Sequence, residues 1–139
     1  MRSFIFLFFV LFCLNPSFLW PESNTLKIFF TSNLEGKFVI ESKDEDDPLL
    51  NLSSLLLTEQ NRNPGSLLID LGNSFYPGAL SKYSYGSVMM DFFHYTGYKS
   101  ILVSSMDIRI GFENLAFLQK DKKTLLLSSN LIKNQKPIF

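Results

Sequence analysis

Short apolar, β-rich runs alternate with helix-patterned segments along this chain, and that alternation constrains the fold more than any other feature. Four runs read as strands, at residues 26–30, 66–71, 98–104 and 125–128. Three segments between them carry apolar residues at helical spacing. The first covers 49–60, opens on Asp47 as N-cap with Pro48 at the first helical position, and lines up Leu49, Leu52, Leu55 and Leu56. The second covers 87–96, turns Val88, Met89, Phe92 and Phe93 inward and stops at Gly97. The third covers 112–120, with Phe112, Leu115, Ala116 and Leu118 apolar. Such repetition predicts βαβ units and a mainly parallel sheet, an α/β fold in one domain. In these sheets ligands collect at the carboxyl ends of the strands. The run Leu67-Leu68-Ile69 predicts a strand covered on both faces, and residues 72–85, with Pro77 and Gly78, predict a long loop.

Composition narrows the function classes. Hydrophobic residues are 46% and charged residues 19% of the chain, a core-forming and not a disordered balance. Lys plus Arg and Asp plus Glu both number 13, so no net field draws nucleic acid to the protein. Residues 1–24 read as a targeting segment. Arg2 supplies a basic start, residues 4–14 form an unbroken apolar run too short to span a bilayer, and Asn15-Pro16-Ser17 breaks it. That is the layout of a secretory signal peptide, which implies export to a periplasm, a cell envelope or the medium. No Ala-x-Ala cleavage pattern is present. Cys13, the single cysteine, ends the apolar run and is a candidate for lipid attachment and membrane association through the N-terminus, although bulky Phe12 precedes it. One acyl chain gives only marginal anchoring. A lone cysteine also excludes a disulfide framework.

Three strand ends carry the chemistry-bearing residues. They are Thr31-Ser32-Asn33-Leu34-Glu35-Gly36, Asp70-Leu71-Gly72-Asn73 and Ser104-Ser105-Met106-Asp107. Each follows an apolar run and opens into a loop. Together they resemble the N-terminal half of the 5′-nucleotidase branch of the calcineurin-like metallophosphoesterases. That family reads Asp-x-His-Gly, Gly-Asp and Gly-Asn-His-Glu at the three places. Here Asn33 and Glu35 stand for the first Asp and His, Asn73 for the second Asp, and Ser104, Ser105, Met106 and Asp107 for the last four residues. The central block, with Phe75, Gly78, Gly86, Asp91, Gly97 and Tyr98, keeps the family's order of glycines, helix and aromatic. Residues 111–115 and 127–131 resemble its next helix start and next strand. The resemblance implies an α/β/β/α sandwich of which residues 25–139 form the N-terminal part. The family's later histidines would lie beyond Phe139, so the chain reads as a truncated form or fragment. A half-domain is expected to leave sheet edges and an apolar face open, and residues 26–139 alone to be poorly soluble.

The resemblance also implies a lost chemistry. In such an enzyme two cations clamp the phosphate and generate hydroxide, with a carboxylate bridging them. At the bridging position Asn73 offers a neutral amide, and at the catalytic histidine's position Met106 offers a thioether that handles no proton. A general acid alone contributes about 10²–10⁴-fold in rate. The expectation is therefore an exported, degenerate 5′-nucleotidase-like protein without catalytic residues or cofactor, in a binding or envelope role. The alternative is a metal-dependent phosphohydrolase acting on nucleotides through a Mn, Zn or Mg pair, or a truncated piece of one.

Two readings of the polar set stay open: a hydrogen-bonded loop cluster, or a hard-cation site for Mg²⁺ or Ca²⁺ built from Asn33, Glu35, Asn73 and Asp107. Asp70, on its strand, is expected to receive backbone donors. Ser104 and Ser105 would need a neighbouring base, and His94, the only histidine, lies mid-helix away from the strand ends. Met89, Met90 and Met106 read as core fillers. Phe75, Tyr76, Tyr83 and Tyr85 could stack on a base or a partner, but packing is the expectation. A protein partner is not readable from the sequence.

Overall fold

The computed structural model describes residues 25–38, 47–121, 123–133 and 135–137. The signal-peptide reading, Cys13 and most of the charge run at 43–47 lie outside the described residues. Four strands form an all-parallel sheet in the order β1-β2-β3-β4. They are β1 (Ile28–Thr31), β2 (Leu67–Asp70), β3 (Ser100–Leu102) and β4 (Leu125–Leu127). The connecting helices are α1 (Pro48–Arg62), the short α2 (Ala79–Tyr83), α3 (Ser87–Thr96) and α4 (Phe112–Leu118). An antiparallel pair, β5 (Ile132–Lys133) with β6 (Lys136–Pro137), follows. The fold class is α/β.

Local chemistry sets the helix ends. The Asp47 carboxylate accepts from the Leu49 and Leu50 N–H groups, and Pro48 occupies the first turn, where it gives up no helical hydrogen bond. Gly97 closes α3 in a left-handed conformation. Burial corrects several sequence expectations. In α1, Leu49, Ser53 and Leu56 face the core and Leu55 faces solvent, because the helix meets the sheet along a narrower stripe than four leucines suggest. In α3, Met90 and Thr96 join Met89, Phe92 and Phe93 inside, while Val88 is half-buried. Only Leu115 of α4 is fully buried, and a 3₁₀ turn at Gln119–Asp121 replaces its last residues. The loop at 72–85 contains α2, and β5 and β6 have no counterpart in the sequence reading.

Each strand pairs with the next in sequence, so every crossover moves in one direction across the sheet. With the right-handed crossovers that twisted strands impose, all connecting helices fall on one face. The alternation of side chains bears this out. Leu68, Asp70, Ile101 and Leu126 point to the helix side and are buried. Their neighbours point the other way. Ile28 pairs with Leu67, Phe30 with Ile69, and Ser100 with Leu125. One step further lies the row Leu71, Leu102 and Leu127. Phe30 is 67% exposed and Ile28 51%. The expectation that β2 is covered on both faces therefore fails: Leu68 is buried and Leu67 is open.

The core lies between sheet and helices and is built on aromatic rings. Phe93 packs edge-on against Phe75, Phe92 and Tyr98, at centroid distances of 5.6, 5.7 and 4.8 Å. Edge-to-face pairs of this kind contribute about 0.5–1.5 kcal/mol each beyond area burial. Phe75, Phe93 and Tyr98 are among the largest fully buried side chains, and they join the loop after β2, helix α3 and the turn that leads into β3. The candidate strand ends are thus held over a rigid floor.

Candidate functional site

Loops after β1, β2 and β3 meet at the carboxyl ends of the strands, where the sequence placed the candidate residues. Backbone bonds knit the first two loops. The Asn33 N–H donates to Gly72 O and the Glu35 N–H to Asn73 O, both at 3.0 Å. The Gly78 N–H then donates to Glu35 O at 2.6 Å. This crossing is so close that a Cβ on Gly78 would lie 1.9 Å from Gly36 O. Gly78 is therefore required by space. Asn33, Glu35 and Asn73 all sit in the left-handed region, with φ of 58°, 55° and 60°. Non-glycine residues rarely adopt it, and such strain tends to gather at functional positions.

Asp107 fastens the third loop to the second. Its carboxylate is fully buried. Oδ1 accepts from the Ser74 and Phe75 N–H groups at 2.8 Å each. Oδ2 accepts from the Asn73 and Ser104 N–H groups at 2.9 Å each and from Ser104 Oγ at 2.7 Å. Five donors saturate both oxygens. The sequence placed Asp107 among possible cation ligands; in the structure its oxygens accept from the backbone of the loop after β2 and from Ser104.

Asp70 lies one layer below, almost wholly buried on β2. It accepts from Thr31 Oγ1 at 2.7 Å and from the Gly72 N–H at 2.9 Å, as the sequence reading expects of a strand carboxylate. Burial raises its pKa above the ordinary carboxylate value. The Thr31, Ser74 and Gly72 donors oppose that rise, and the charge of Asp107 adds to it. Thr31 also shares a 2.8 Å hydrogen bond with the Tyr98 hydroxyl. Burial pushes the Tyr98 pKa up to about 12.

The remaining candidates divide. Asn33 and Asn73 come together, with Asn73 Nδ2 donating to Asn33 Oδ1 at 2.9 Å. Asn73 Oδ1 is buried without a hydrogen-bond partner. The Glu35 carboxylate turns to an ion pair with Lys37. Ser105 is exposed and Met106 half-buried, and Ser104 is taken up by Asp107. Arg109 lies over the ring of Tyr76, 5.6 Å from its centroid, a contact that sequence spacing does not reveal. Phe75 is core, whereas Tyr83 and Tyr85 project into solvent. His94 is in the last turn of α3, at the opposite end of the sheet. Two clefts of about 260 and 320 Å³ also lie at that end, beside Lys27, Arg62 and Lys99.

The donor set does not fit a pair of dications. Its one orphaned buried acceptor is the neutral amide oxygen of Asn73. A cation pair needs a bridging anion, and the nearby carboxylates are held by backbone donors or by Lys37. Among the described residues, no three His, Cys, Asp or Glu side chains stand close enough to hold a metal ion. No helix of the described residues is long and apolar enough to cross a membrane. No family model matches the chain, and no curated protein matches it.

Proposed function

We propose that this chain is an exported, non-catalytic relative of the 5′-nucleotidase branch of the metallophosphoesterases, acting in a binding or structural role at the cell envelope. The observation that carries the reading is the pairing of Asn73 with Asn33 above a saturated Asp107. Three loops converge at the carboxyl ends of the strands, with left-handed backbone at Asn33, Glu35 and Asn73. Their side chains bond to one another and to the backbone. A site that has exchanged anionic ligands for internal hydrogen bonds keeps its scaffold and loses the charge that would bind cations.

The test combines metal content with turnover. The full chain, dialysed against Mn²⁺ or Zn²⁺, is expected to retain no metal and to release no inorganic phosphate from AMP. Asn73→Asp with Met106→His restores the two missing group types and should raise metal retention over the native chain. Native protein that kept a metal pair and hydrolysed AMP would establish the alternative, a metal-dependent nucleotidase.

A further inference from the structure

We propose that the helix-free face of the sheet is a self-association surface on which a second copy of this chain docks, sheet against sheet. The inference stands on the sheet alone and goes beyond the functional reading above. Parallel sheets are covered on both faces almost without exception, because the strands expose apolar side chains to both sides. Here the one-directional strand order puts every described connecting helix on one side. The other side presents Ile28, Phe30, Leu67, Leu102, Leu125 and Leu127 as one surface, each between 36% and 67% exposed.

Size, charge and shape favour a copy of the same chain. With the flanking Leu26 and Leu71 included, the patch amounts to roughly 700 Å² per molecule, taking about 150–250 Å² for a fully free large side chain. Monomeric proteins rarely exceed about 300–600 Å² in one apolar patch. Two such faces together remove roughly 1,400 Å² from water, within the range of stable interfaces, about 1,200–2,000 Å². The strands carry no charged residue on this face, and Ser100 is its only polar one. Self-pairing about a two-fold axis therefore opposes no like charges. Aligned sheets pack about 10 Å apart with interdigitated side chains, and the prominent Phe30 on one edge and the small Ser100 near the middle supply relief for that packing.

The experiment is sedimentation and light scattering of the full chain across a concentration series, with Phe30→Lys and Leu102→Lys as variants. Both positions point away from the helix-covered core, so circular dichroism should show the fold retained. The expected result is a species of twice the 16.0 kDa chain mass that each variant converts to monomer, with at least a tenfold loss of apparent association. Tyr83→Lys, exposed on α2 away from the sheet, should leave the dimer intact. Leu102→Cys in a Cys13→Ser background should cross-link copies to each other under oxidation. A native monomer would overturn the proposal. If the thiol introduced by Leu102→Cys resists labelling in that monomer, another part of the same chain covers the face; if it labels freely, the face is open. A dimer or larger aggregate indifferent to both lysines would overturn it equally.

Discussion

Asp107 shows how one side chain can look like a ligand and work as a fastener. A buried carboxylate needs donors, and five are supplied by residues 73–75 and Ser104. Asp107→Ala takes the acceptor from the buried Ser74 and Phe75 N–H groups and from the half-buried Ser104. Charged hydrogen bonds contribute about 1.5–3 kcal/mol each, and an orphaned buried donor costs about 1–3 kcal/mol. Urea unfolding should show a loss above about 3 kcal/mol, and a loss below about 1 kcal/mol would contradict this role. Asp70 carries a pH signature. Its folded pKa is raised above 3.8, so the fold favours its protonated form. The stability it contributes is whole below 3.8 and falls as pH rises through the raised folded value. Asp70→Asn removes that titration. The variant's melting temperature relative to the native chain should climb as pH rises from 3.8 through the raised folded value, and a flat difference would exclude the effect.

At the scale of elements, the loops after β1 and β2 are held by backbone, and side chains could be exchanged there more easily than glycines. The Gly78 position admits no Cβ, since backbone of Gly36 and Glu35 surrounds it. Gly78→Ala should separate the two loops, lower stability by about 2 kcal/mol or more, and raise amide exchange at residues 33–36 and 73–75. An exchange pattern unchanged in those segments would show that the crossing is not what holds them. The helices were largely legible beforehand. Asp47, Pro48 and Gly97 mark ends of α1 and α3 by chemistry that acts within a few residues. α2 was not, because Ala79–Tyr83 is too short to show a period and is held by contacts such as Ser81 Oγ donating to Phe75 O at 2.6 Å. The inward faces were legible only in part. Leu55 and Ser53 exchange the places that hydrophobicity assigns them, since the sheet's position decides which stripe of α1 is covered.

For the whole molecule, the two faces of one sheet should respond differently to the same loss. Ile101 and Leu102 are neighbours on β3, one fully buried under helices and the other 42% exposed. Ile101→Ala should cost about 2–5 kcal/mol at any protein concentration, from lost burial and the cavity left behind. Leu102→Ala should cost less than Ile101→Ala in dilute solution and more as the protein is concentrated, because the exposed part of its side chain is covered only in the proposed association. Equal costs, independent of concentration, would mean that both faces are covered within one chain. The candidate site was legible as a place, because strand ends in a parallel sheet lie together whatever side chains they carry. Its internal bonding was not. Nothing in Asp107's spacing tells that its oxygens are taken up by residues 73–75, which lie more than 30 positions away.

The strands, the helix ends, the parallel order and the convergence of three loops follow from the sequence by itself, since local pattern and right-handed crossover leave few alternatives. Two things were decided only by tertiary structure. One is the fate of the polar side chains at the strand ends, where N–H donors of residues 73–75 reach Asp107 and the Asn73 amide donates to Asn33. The other is the sheet face that no described helix covers, which arises because all the crossovers run one way across the sheet. Both depend on which segments meet in space, and the energy of a buried charge or an exposed leucine is set by what meets it.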